Sequence, residues 1–277
     1  MSFAPSAHYD RVTEAWGLLL GDEFHVGVFE EGTPDLRTAA ARLTQMMVEG
    51  AGIGPNDHLL DVGCGTGAPA VYVARETGAR VTGMSTSAEG IQAATGRAAS
   101  EGLSDRVSFE VRDGMDNGFP DGSFSRSWAL ESSLLMRDRD RLISEMARVL
   151  APGGRLTLCD FMLMRPLDLK DLRRLRNELT LLRDVYGDVQ MEPLEEYRRL
   201  AEKHGLQVDQ ADDLTAITRP TFEHWRENAN RAREPVTALV GDDYWRRFVE
   251  SCDVLGRLWD DGLWGYGLLS ASKPGAA

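Results

Sequence analysis

A short apolar run, His58 to Val62, passes directly into Gly63-Cys64-Gly65-Thr66-Gly67 and then into a helical pattern that opens at Ala68-Pro69-Ala70. Strand, glycine turn and helix in immediate succession form the start of a βα unit, and glycines at that junction let a ligand approach the backbone closely. The spacing is GxGxG, not the GxGxxG of a dinucleotide site, and Asp61 stands two positions before the first glycine. A carboxylate there is poorly suited to a pyrophosphate. It suits a ligand that carries an ammonium and a sulfonium group, whose own carboxylate the following helix N-terminus would favour. The alternative is a tight βα turn that only caps a helix.

Short apolar runs alternate with helical patterns on either side of this loop. The strand candidates are His58 to Val62, Arg80 to Met84, Val107 to Val111, Phe124 to Leu130 and Arg155 to Phe161, with later ones at Leu206 to Thr215 and Trp264 to Ser272. Helices are predicted near 36 to 50, 68 to 77, 87 to 101 and 139 to 150, the last ending at the stop and turn signal Ala151-Pro152-Gly153-Gly154. Repeated βα units of this kind make a doubly wound, Rossmann-like α/β domain on a seven-stranded, mostly parallel sheet. After Phe161 the alternation breaks into two charged helices near 166 to 185 and 193 to 205, read as a cap. Two Trp-bearing helices precede the last strand.

With 277 residues, 42% of them hydrophobic, the chain buries a full core. The net charge of -13, from 44 acidic against 31 basic residues, disfavours nucleic acid and anionic lipid and favours a small neutral or cationic partner. The one basic stretch, Arg165 to Arg183, is interleaved with Asp168, Asp171 and Glu178, as on a solvated helix face. No apolar run reaches the ~20 residues of a membrane span, and the N-terminus lacks a signal-peptide layout, so the expected compartment is the cytoplasm. Cys64, Cys159 and Cys252 lie far apart without metal spacing, which argues against a zinc site.

The loop, together with Val81-Thr82-Gly83-Met84-Ser85, Arg112-Asp113-Gly114-Met115, Phe119-Pro120-Asp121-Gly122-Ser123-Phe124 and Arg148-Val149-Leu150-Ala151-Pro152-Gly153-Gly154 in that order, resembles the class I S-adenosylmethionine (SAM)-dependent methyltransferases. The resemblance implies SAM as methyl donor, S-adenosyl-L-homocysteine as product and no metal. It implies cofactor contacts from Tyr9, Asp61, Gly63, Gly65, Gly67, Ser85, Asp113, Gly114, Met115 and Glu131. Asp113 would accept from the adenine amino group. Ser85 departs from the acid usual at the end of the second strand, and a hydroxyl holds a ribose less strongly than a carboxylate. One domain follows, with a lid over 1–52, a SAM-binding core over 53–165, a cap over 166–205 and the completed core over 206–277.

Tyr9-Asp10 through Phe24-His25-Val26-Gly27-Val28-Phe29, with Trp128-Ala129-Leu130-Glu131-Ser132 and Leu158-Cys159-Asp160-Phe161, is similar to a narrower group. It holds small-molecule methyltransferases of bacterial natural-product pathways, including those of rebeccamycin, rifamycin and mitomycin, related to tocopherol and sarcosine methyltransferases. That likeness puts Tyr9, Trp16 and His25 near the reaction, and Trp16, Leu134, Leu135, Met162, Trp225 and Tyr266 around a small, mostly apolar acceptor. Leu134-Leu135 stand where rebeccamycin-type enzymes carry a His pair. A general base contributes roughly 10²- to 10⁴-fold, so its loss leans the expectation towards nitrogen, whose lone pair needs no deprotonation. His25, Glu131 and Asp160 could each still serve as base for a hydroxyl. C-methylation of an activated ring or isoprenoid carbon, a non-catalytic SAM-binding protein and a nicotinamide dehydrogenase remain alternatives. The expected state is monomer or homodimer.

Overall fold

The computed structural model describes residues 5–275, with side chains from Val12 onward. A single seven-stranded sheet contains β1 (His58–Val62), β2 (Arg80–Ser85), β3 (Val107–Val111), β4 (Phe124–Leu130), β5 (Leu150–Leu163), β6 (Gln207–Asp213) and β7 (Trp264–Ser272), in the order β3-β2-β1-β4-β5-β7-β6. β1 pairs in parallel with β2 and β4, β2 with β3, and β4 with β5. β7 runs against β5: Gly153 N donates to Lys273 O, Thr157 Oγ1 lies 3.3 Å from Ser270 Oγ, and Met164 N donates to Leu263 O. The mostly parallel, doubly wound sheet is therefore as expected. Its central strands are buried along most of their length, β1 from Leu59 to Val62 and β4 from Ser127 to Leu130, as strands covered on both faces are.

α1 (Pro5–Leu19) and α2 (Leu36–Ala51) precede the sheet, and α3 (Ala68–Thr77), α4 (Ala88–Ser100) and α5 (Arg139–Val149) follow β1, β2 and β4. The expected start of β5 at Arg155 moves to Leu150. Phe124 pairs with Leu150, and the next β4 partner, Arg126, pairs with Arg155, so Ala151 to Gly154 bulge out of the ladder and Gly153 takes φ +77°. The proline-glycine stop signal is thus absorbed as a bulge, because Gly153 and Gly154 are held by Lys273.

The long predicted helix over 166–185 is two, α6 (Leu169–Arg174) and α7 (Arg176–Tyr186), followed by α8 (Leu194–Lys203). Asp168 caps α6, with Asp171 closing the box. The two expected Trp-bearing helices are α10 (Thr221–Arg231) and α12 (Asp242–Asp260), and two short helices without Trp, α9 (Thr215–Thr218) and α11 (Arg233–Val240), accompany them. α10 stops at Arg231 because Pro235, four residues on, has no N–H to offer its carbonyl and would crowd it.

Contacts divide the chain into two compact units. The first takes the residues up to Leu43 with Phe161–Pro193 and Asp213–Tyr266. Its buried residues include Trp16, Leu19, Phe222, Trp225, Phe248 and Trp259. The second takes Thr44–Asp160, Leu194–Asp212 and the chain from Gly267 on, around Leu60, Val62, Trp128, Leu142, Met146 and Tyr197. The cap expected over 166–205 does not stay together: α8 buries Tyr197, Leu200 and Ala201 and packs with α5 in the second unit.

Candidate functional site

The strand order reverses between β1 and β4, and the crevice beyond the carboxyl ends of strands at such a switch point is where doubly wound sheets bind ligands. The loop Gly63 to Gly67 leaves β1 there. Gly63 N and Cys64 N both donate to Met84 O, which folds the loop across the end of β2. Its glycines have different reasons to be glycine. A Cβ on Gly63, at φ +85°, would collide with the Ser132 side chain, and one on Gly67 would come within 2.7 Å of Phe109 Cζ and 2.8 Å of Ala94 Cβ. Gly65, at φ +53°, has nothing within 4 Å of that position. Its backbone is bare towards open space, as a ligand-cradling residue requires.

Asp61 is the loop's electrostatic feature. It sits between Gly83 of β2 and Trp128 of β4 and is 3% exposed. Burial pushes its carboxyl up to about 7, tempered by the Trp128 indole. Neither Asp61 Oδ2 nor Trp128 Nε1 has a partner in hydrogen-bond geometry. A buried carboxylate oxygen without a donor costs free energy that a cationic ligand group would recover. Beyond the loop, Gly67 is the N-cap of α3 and supplies no side-chain cap, so the amides of Ala68 and Ala70, on either side of Pro69, are suited to an anionic group. α4, by contrast, is closed by its own Ser87, which accepts from Gly90 N.

The ends of the neighbouring strands complete this side. Ser85, half-buried, accepts from Ser87 N through Oγ, and pairs in register with Val111. Asp113 is exposed and its Oδ1 accepts from Met115 N at 2.9 Å, which shapes the turn that follows β3. Gly114 admits no side chain, because a Cβ would lie 2.9 Å from both Val62 Cγ1 and Met136 Sδ. In the second unit, then, Asp61, Gly63, Gly65, Gly67, Ser85, Asp113, Gly114, Met115 and Glu131 all lie at or just beyond the carboxyl ends of adjacent strands.

Glu131 follows β4 at φ +46°, a conformation that non-glycine residues adopt at a cost. Its amide donates to Cys159 O, and the next residue, Ser132, donates from Oγ to Val62 O. A 3₁₀ turn, Ser133–Leu135, carries Leu134, which is buried, and Leu135, which is half-buried. Asp160, fully buried at the corresponding point of β5, accepts at Oδ2 from Ser133 Oγ at 2.6 Å and from Leu134 N at 3.1 Å. Ser133 Oγ also lies 2.8 Å from Tyr197 Oη, and Arg139 Nε donates to that same phenol oxygen at 2.9 Å.

The other candidates belong to the first unit. His25 is 2% exposed, with Nδ1 2.8 Å from Val26 O and Nε2 3.0 Å from Glu23 Oε2. Trp16 donates from Nε1 to Tyr244 Oη. Tyr186 lies 6.2 Å from Trp16 and 6.3 Å from Trp225, ring centre to ring centre. Trp225, Met162 and Tyr266 are buried, and Tyr266 packs edge-on to Phe161. The side chain of Tyr9 lies outside the described residues. No group of three or more His, Cys, Asp or Glu among the described residues could hold a metal, and no helix among them is long and apolar enough to cross a membrane. The three cysteines are buried thiols, and burial pushes that of Cys64 well up. Sequence reasoning missed Ser133, Arg139, Tyr197 and Glu23. Glu23 alone left a signal, an acid two residues from a His.

A methyltransferase-domain family model matches residues 59–154. Methyltransferase GfsG of Streptomyces halstedii is 35% identical over 269 residues, covering 96% of this chain and 93% of that protein. The 27-O-demethylrifamycin SV methyltransferase of Amycolatopsis mediterranei strain S699 is 35% identical over 275 residues, covering 96% and 95%. Among solved structures, the [4+2]-cyclase SpnF superimposes with a TM-score of 0.83 at 28% identity, covering 98% of this chain and 96% of that one.

Proposed function

The chain belongs to the SAM-dependent methyltransferases, and on that premise we propose that it methylates a hydroxyl oxygen of a small, mostly apolar secondary metabolite. The observation that carries the choice of oxygen is the full-length similarity to an enzyme named for a demethylated rifamycin oxygen. The aromatic residues Trp16, Tyr186, Trp225 and Tyr266 support an apolar acceptor.

The residues present fit the donor. Asp61, with a buried oxygen lacking a partner, would receive the amino group, and the bare backbone at Gly65 and the amides opening α3 would receive the amino acid portion and its carboxylate. Gly63 and Gly67 shape the loop, Ser85 would hold a ribose hydroxyl, Glu131 would contact the cofactor from the end of β4, and Asp113, Gly114 and Met115 would hold the adenine. SAM, when bound, supplies a methyl group already activated on sulfonium. What the protein adds is alignment of the acceptor with that methyl, on the order of 7 to 11 kcal/mol for ideal positioning, and removal of the hydroxyl proton.

His25, Glu131 and Asp160 are the candidates for the base that takes that proton, and His25 is the imidazole among them. The Glu23 carboxylate, 3.0 Å from Nε2, would stabilise the imidazolium formed when the ring takes up that proton. Asp160 is already committed at Oδ2 to Ser133 and Leu134, and works as an anchor for the turn. Leu134, Leu135, Met162, Trp225 and Tyr266 would contact the acceptor. Nitrogen is the second reading, favoured because the turn offers Leu134 and Leu135 where a base would otherwise stand.

Incubation with methyl-labelled SAM and a panel of hydroxylated macrolactones, ansamycins and matched amines tests this. Label on oxygen supports the proposal. Label only on nitrogen or carbon overturns the choice of oxygen, and absence of S-adenosyl-L-homocysteine binding overturns the donor.

A further inference from the structure

We infer that Tyr197, on α8, is a positioning residue for the cofactor side of the site, acting through Ser133 on the turn that carries Glu131 and Ser132. The inference rests on the methyl-donor reading above.

The hydrogen bonds have a single sense. Ser133 Oγ gives its one proton to Asp160 Oδ2 at 2.6 Å, so the proton between Ser133 and Tyr197, 2.8 Å apart, belongs to Tyr197. The phenol oxygen in turn accepts from Arg139 Nε at 2.9 Å. A guanidinium, two hydroxyls and a carboxylate thus form a directed chain in which each hydroxyl donates once and accepts once. All four residues are buried. Burial, and then the charge of Asp160, push the Tyr197 phenol up to about 12, so it keeps its proton at any working pH. Bonds in such chains polarise and strengthen one another in a low-dielectric interior.

This chain fixes one end of a segment whose other residues face the cofactor loop. Ser132 bonds Val62 O, the last residue of β1, and fills the space that a side chain on Gly63 would need. Glu131 is held at φ +46° with its amide on Cys159 O. Residues 131 to 133 are therefore pinned in succession to β5, to β1 and to the buried relay. A non-glycine residue at positive φ persists only where its surroundings over-determine it. With the relay cut, Ser133 loses one of its two partners, and the strained turn can relax away from Gly63.

The test uses S-adenosyl-L-homocysteine calorimetry on the full chain, thermal denaturation, and hydrogen exchange of the peptide spanning 131–136. Tyr197→Phe is expected to raise the dissociation constant about tenfold and to speed exchange at Leu134 and Leu135. Leu200→Ala, in the same helix and equally buried, controls for stability: it is expected to lower Tm while leaving the dissociation constant within about twofold. Should Tyr197→Phe not fold, Ser133→Ala carries the same expectation. A dissociation constant for Tyr197→Phe within about twofold of wild type, or an equal shift from Leu200→Ala, overturns the inference. Wild type that fails to bind at all overturns the methyl-donor reading instead.

Discussion

Replacing Asp61 by Asn should convert a pH-dependent cofactor site into a pH-independent one. The carboxyl is fully buried and raised from 3.8 to about 7, the main cause being burial. The folded protein therefore holds this proton more tightly than the unfolded chain does. Below about pH 4 both states are protonated and nothing is lost. As pH rises from about 4 to 7, the unfolded chain ionises first, and folding stability falls by at most about 4 kcal/mol at ~1.4 kcal/mol per unit. A bound ammonium reverses the preference by pairing with the carboxylate, so binding below pH 7 expels the proton. Affinity for S-adenosyl-L-homocysteine should then be about tenfold greater at pH 8 than at pH 6. Asp61→Asn abolishes that slope and weakens binding at pH 8 by about 10- to 100-fold, the range for a hydrogen bond to a charged group. Without ligand, the variant should gain stability over wild type as pH rises from 5 to 8. Calorimetry in buffers of different ionisation enthalpy counts the expelled proton, and thermal melts across the same pH range follow stability. Equal pH slopes of affinity for the two proteins, or an unliganded wild type that gains stability relative to Asp61→Asn as pH rises, would refute the reasoning.

Gly63→Ala suffers both the left-handed backbone, about 1–2 kcal/mol, and overpacking against Ser132, about 1–3 kcal/mol, whereas Gly65→Ala suffers only the first. Thermal melts should show the larger loss for Gly63→Ala, while calorimetry shows weakened S-adenosyl-L-homocysteine binding for both; a larger stability loss at Gly65 would contradict the assignment of open space there. Leu134→Ala should raise the acceptor KM by about tenfold, the scale of a lost apolar pocket contact, with cofactor affinity within about twofold. Equal losses for both ligands in steady-state and binding measurements would make Leu134 core packing. His25→Gln should lower kcat for a hydroxyl acceptor by roughly 10²- to 10⁴-fold and leave a neutral amine acceptor little affected; unchanged kcat on the hydroxyl would remove His25 from proton transfer.

The βα alternation, the strand positions and the cofactor loop were legible because they rest on local chemistry: apolar periodicity, glycine where φ is positive, and an acid two residues before Gly63. Even there the chain's own punctuation misled at Ala151-Pro152-Gly153-Gly154, since the signals for a turn and for a bulge are alike until Lys273 supplies the partners. What periodicity could not contain is the pairing of groups distant in sequence. Ser133 and Tyr197 are 64 residues apart, and Asp160 lies 27 residues from Ser133. From spacing, Asp160 was an acid at a strand end, fit to be a base. Only the tertiary structure placed two donors on one of its oxygens, because burial forces each polar group to find whichever partner the packing brings within about 3 Å. The sequence by itself determined the sheet, the loop and the methyl donor they imply; the fold decided that Asp61 Oδ2 is left without a donor while Asp160 Oδ2 is provided with two, and so which of two buried carboxyl oxygens is available to a ligand.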